Sequence, residues 1–100
     1  DIVVRTWEKV GAARFITYAK GAKTNIAVPA TFNHNLSEAI GFINAFKYNT
    51  AKTISDADIK ILLGYFQTAG VVNLYKVTPA NIDNAINKMA TIFNLDASKL

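Results

Sequence analysis

Three residues in one short stretch have side chains that could do chemistry together: His34, Ser37 and Glu38. His34 and Glu38 are four apart, which on a helix puts an imidazole and a carboxylate on one face, within reach of a shared metal ion or proton. A catalytic zinc takes three protein ligands and an open position. The chain has one histidine and no cysteine, so a third ligand would have to come from Asp56 or Asp58. Ser37, three residues from His34, suggests a nucleophile and base, but no Gly-x-Ser-x-Gly turn surrounds it. The plainer reading makes Ser37 a helix-start residue and His34 and Glu38 a hydrogen-bonded surface pair. No catalytic residue is assigned, and His34, Ser37 and Glu38 stand as candidate ligand or metal residues. A divalent metal is the one cofactor they could hold.

These side chains belong to the run Asn33–Phe46, which reads as the central helix. Leu36, Ala39, Ile40 and Ile43 recur at three and four, and Phe46 extends the face. Asn35 and Glu38 fit a reciprocal cap, and a start at Thr31 fits as well. Before it, residues 2–20 read as a helix with its buried stripe on Val3, Trp7, Val10, Arg14 or Phe15, and Tyr18. Trp7, the only tryptophan, is expected to anchor that helix to its neighbours, with Glu8, Lys9 and Lys20 facing water and Gly21 as the stop. Residues 21–34 then form a loop pinned by Ile26, Val28 and Phe32.

A third helix is expected over 56–69, opened by a Ser55–Asp58 cap, with Ile59, Leu62, Leu63 and Phe66 inward. Val71–Val77 has branched residues but no evident partner strand, so it reads as a short helix or a packed connection. Thr78-Pro79 is a strong start for a fourth helix over 79–93. Asn94 closes it, and the tail after Asp96 is expected to fray. Four apolar stripes, over about 2–20, 34–48, 56–69 and 79–93, predict an all-α fold, a compact bundle or irregular array.

Composition agrees. One hundred residues, 51% hydrophobic and 18% charged, suit one folded domain spanning 1–100. A chain of this length buries roughly two thirds of its unfolded surface. The net charge of +4 comes from scattered Lys and Arg with no run of three, which argues against the concentrated stripe that nucleic acid requires. No apolar run approaches the ~18 residues of a membrane span. The glycines are isolated, so no phosphate loop is formed. Tyr48, Tyr65 and Tyr75 are the aromatics expected to reach the surface. The chain begins with Asp1 and not Met, which fits a mature product, an expressed fragment or a piece of a longer protein, and a signal or lipid-anchor segment could have been lost upstream.

His34, Ser37-Glu38, Phe42 and the later Asn49 form an H-x-x-S-E-x-x-x-F pattern. It resembles one in an uncharacterised family of bacterial envelope lipoproteins typical of gut-type Bacteroidota, and Thr78-Pro79-Ala80-Asn81-Ile82 is similar to that family's last helix start. The resemblance implies an all-helical, exported protein of the periplasm or cell surface without an established activity, of which this chain is the C-terminal part; the chain reads as non-enzymatic, with an unidentified protein or small-molecule partner. A second likeness is to the imelysin-like envelope proteins, which have G-x-H-x-x-E. Here the carboxylate comes four after His34 and Phe32 replaces the glycine. That likeness supplies the alternative of a metal-binding envelope protein using His34 and Glu38.

Overall fold

Helix α1 occupies Ile2–Thr24, and the computed structural model describes residues 2–100. It is followed by α2 (Pro29–Tyr48), α3 (Asp56–Gly64), a hairpin of β1 (Gln67–Thr68) and β2 (Val71–Val72), a 3-10 turn at Leu74–Lys76, α4 (Pro79–Phe93) and a last 3-10 turn at Ala97–Lys99. The fold is all-α, as the stripes predict. Among the described residues no helix is long and apolar enough to cross a membrane.

The most extensive helix packing is between α1 and α2, followed by that between α1 and α4; α3 lies mainly on α2. The core is closed by the fully buried Phe15, Phe46, Phe66, Ile16, Leu36, Ile43, Leu62, Ile82 and Met89. Phe66 meets Phe15 edge-on at 6.2 Å, and Phe46 lies 5.8 Å from Phe93. The α2, α3 and α4 stripes face inward as expected. In α1 the opposite face does so: Glu8, Ala12, Phe15, Ile16, Ala19 and Ala22 are buried, while Val3, Trp7, Val10 and Arg14 are exposed. Trp7 is therefore not an anchor of this helix. Three of the six inward positions are alanine, where α2 and α4 pack against α1.

Several boundaries move for local reasons. Gly21 does not stop α1. An added Cβ there would sit 3.0 Å from Asn35 Nδ2, so the glycine serves a close approach to α2, and α1 continues to Thr24. The expected 21–34 loop shrinks to residues 25–28, and its Ile26 and Val28 are exposed rather than pinned. Helix α2 begins at Pro29, whose fixed φ suits the first helical position. This displaces the Asn35–Glu38 cap, because both residues lie inside the helix; Val28 precedes it without a side-chain cap.

The Ser55 cap is present, its hydroxyl accepting from Asp58 N–H at 3.1 Å. Helix α3 stops at Gly64, short of residue 69, because the chain turns back on itself. Ala69 (φ 53) and Gly70 (φ 81) are both left-handed, the pattern of a type I′ turn. They pair Gln67 with Val72 and Thr68 with Val71, so Val71–Val72 is a strand with a partner. Thr78 caps α4 through Asn81 N–H at 3.2 Å, with Pro79 first in the helix. Asn94 closes it in the left-handed conformation, with Leu95 N–H reaching Ala90 O at 2.8 Å. The tail does not fray. Asp96 caps the last 3-10 turn through Ser98, and Lys20 Nζ donates to Ala97 O (2.9 Å) and Leu100 O (2.7 Å).

Candidate functional site

His34, Ser37 and Glu38 lie on exposed positions of α2, beyond its first turn. His34 and Glu38 share a face as their spacing requires, yet among the described residues no hydrogen bond or ion pair joins them to each other or to Ser37. The carboxylates expected as a third ligand are engaged elsewhere: Asp56 pairs with Lys52 and Asp58 with Lys88, each at 3.2 Å. No group of three or more His, Asp or Glu residues placed to hold a metal occurs among the described residues. The structure thus brings the three sequence candidates onto neighbouring exposed positions of α2, with no third metal ligand beside His34 and Glu38 among the described residues.

Two other clusters are built by α1. The first is buried. Glu8, 0% exposed, lies on the inward face of α1 instead of facing water. Its Oε2 accepts Thr53 N–H at 2.9 Å and Ile54 N–H at 3.4 Å, and its Oε1 accepts the Thr53 hydroxyl. Thr53 Oγ1 accepts in turn from Arg5 Nη1 at 3.2 Å, while Arg5 Nη2 donates to Ile92 O at 2.5 Å. The guanidinium also sits 4.3 Å above the centre of the Phe93 ring. A buried charge needs such partners. Both Glu8 oxygens are occupied, so the network fastens α1 to the α2–α3 connection and to the end of α4. The spacing Glu8, Ala12, Phe15, Ala19 is itself a four-three-four rhythm, so the sequence held the signal, masked by the bulkier stripe beside it.

The second cluster is open. Trp7, Val10, Gly11 and Arg14 of α1 and Phe42, Ala45 and Phe46 of α2 line a groove of about 290 Å³. Its floor depends on Gly11, where an added Cβ would sit 3.1 Å from the Phe46 ring. Phe42 is held by stacking on Tyr18, centroids 5.9 Å apart. The indole of Trp7 forms one wall and is 61% exposed; Val3 and Val10, on the same outward stripe, are 77% and 54% exposed. Among the described residues lining the groove, Arg14 is the one with an ionisable side chain. An apolar hollow with a single cationic edge suits an apolar surface or an apolar anion.

Comparison with family models, with curated proteins and with solved structures returned no match to this chain.

Proposed function

We propose that this chain is a non-enzymatic binding domain that receives an apolar partner surface along the outer face of α1 and in the adjoining α1–α2 groove. One observation carries the reading. Val3, Trp7 and Val10 form a continuous outward stripe on a helix whose packing is complete without it. Scattered surface apolar residues are ordinary, but a large contiguous patch beside a groove marks a contact site. The exported envelope setting implied by the H-x-x-S-E likeness belongs to the same proposal, and antibody access on intact source cells tests that part separately.

The binding reading is tested with 1-anilinonaphthalene-8-sulfonate, an apolar anion that suits the groove and Arg14. Saturable fluorescence enhancement is expected, lost in Trp7→Ala and weakened in Arg14→Ala, with the thermal midpoint of both variants unchanged. Absence of saturable binding, or binding indifferent to Trp7, overturns the reading.

A further inference from the structure

We propose that the hairpin end of the molecule docks on an anionic lipid surface, independently of the α1–α2 groove. Residues 68–72, the turn of the hairpin and its second strand, are all exposed and all uncharged. Val71 follows the turn and is 68% exposed. An added Cβ at Gly70 would meet nothing within 4 Å, so that side of the turn is open. Gly70 shares a second groove, of about 460 Å³, with Lys47 at the end of α2 and Lys60 of α3, over a floor of Ile59 and Leu63. Asp56 also lines it and is held by Lys52 at 3.2 Å. Tyr48, beside Lys47, is 76% exposed, and Lys47 Nζ lies 5.4 Å from the centre of its ring.

The ion pairs give the sign of the partner. Among the described residues every carboxylate except Glu38 is engaged. Glu8 is held by Thr53 and Ile54, Asp56 by Lys52, Asp58 by Lys88, Asp83 by Lys23, and Asp96 by Ser98 and Lys99. The cations whose side-chain nitrogens have neither an ion pair nor a hydrogen bond there are Lys9, Arg14, Lys47, Lys60 and Lys76. Lys47 and Lys60 flank the groove beside the hairpin, and Lys76 ends the 3-10 turn that follows β2. Between residues 47 and 76 both carboxylates are paired. The net charge of +4 is thus uncompensated at this end, around an uncharged tip.

A bilayer interface accepts both kinds of group at once. Lysines meet the lipid phosphates, a tyrosine sits at the level of the headgroups, and valines reach the acyl boundary. An acidic protein segment would answer the lysines and leave the valines in water. Each lysine close to an anionic leaflet is worth about fivefold in affinity. That attraction is screened beyond about 10 Å at 0.1 M salt, so added salt must weaken the contact.

The test is co-sedimentation of the full chain with vesicles of phosphatidylcholine and phosphatidylglycerol in equal parts, against phosphatidylcholine alone, at about 50 and about 500 mM sodium chloride. Binding is expected to the mixed vesicles at low salt, with little to the neutral ones, and to weaken at high salt. The double variant Lys47→Gln with Lys60→Gln is expected to lose at least about tenfold in affinity. Val71→Asp is expected to bind more weakly than wild type, and both variants to keep the wild-type thermal midpoint. Trp7→Ala is expected to bind vesicles as wild type does while losing the anilinonaphthalene probe. No binding to the mixed vesicles at low salt overturns the proposal, and so does binding that ignores Lys47, Lys60 and Val71. Vesicle binding lost in Trp7→Ala overturns it by moving the contact to α1. Poly-glutamate bound in place of vesicles overturns it in favour of an acidic protein segment.

Discussion

At the scale of residues, Glu8 and Trp7 are neighbours in sequence with opposite fates. Glu8 is small in hydrophobic content yet fully buried, and Trp7 is the bulkiest side chain in the protein yet mostly in water. Their substitutions should therefore invert the usual order of severity. Glu8→Gln keeps the shape but turns an amide N–H₂ toward the donors of Thr53 or Ile54, at an expected cost of about 1–3 kcal/mol. Trp7→Ala should stay within about 0.5 kcal/mol of wild type. Urea denaturation checks both, and the reverse order would put the Trp7 stripe in the core. The reversal was hard to read from sequence because both faces of α1 repeat at helical spacing. Size favours Val3, Trp7 and Val10, whereas the closeness of α2 and α4 favours the alanines. At His34 and Glu38 the spacing was legible but the surroundings were not. Two exposed ligands on one turn form an incomplete shell, so elemental analysis is expected to find no stoichiometric divalent metal in either the wild type or His34→Ala.

At the scale of elements, starts and stops were the most legible features where a side chain does the capping. Ser55, Thr78-Pro79 and Asn94 all behave as their types dictate. What escaped was set by contacts across the molecule, such as Gly21 against Asn35, or by a turn without its usual residues. The hairpin is the clearest case. A type I′ turn favours Asn-Gly, and here the first place is taken by Ala69, held at φ 53. A left-handed alanine is strained by about 1–2 kcal/mol. Ala69→Asn is thus expected to raise stability by about 0.5–1 kcal/mol, seen as a higher thermal midpoint. Two glycines give a matched pair for the same assay. At Gly41 an added Cβ meets nothing within 4 Å, so Gly41→Ala should stabilise α2 by about 0.5–1 kcal/mol. At Gly11 it meets the Phe46 ring, itself buried and packed on Phe93, so Gly11→Ala should lose that gain and fall below wild type.

At the scale of the whole molecule, the all-α architecture was readable because three of the four stripes point where their spacing says. The packing order was not, since periodicity gives each helix a face but not a neighbour. The tail shows how distant parts close on each other. The Ser98 hydroxyl, then its backbone N–H and the charge of Lys20, hold the Asp96 carboxyl below its ordinary value of 3.8. A carboxyl lowered in the folded state favours folding above its unfolded pKa, and that contribution is lost as pH falls through the lowered value. Acidification below about pH 4 should therefore loosen the last turn before the core. The Ser98 amide resonance should titrate and its hydrogen exchange accelerate, while amides of Phe15 and Ile43 hold.

Arg5 reaches Ile92, and Lys20 reaches Ala97 and Leu100, so α1 is pinned near both ends by residues some eighty positions downstream. On a translating ribosome this helix emerges early but settles late. Its anchors arrive only when residues 92–100 have left the exit tunnel, and until then the nascent chain must shelter the inward alanines and Glu8 without them.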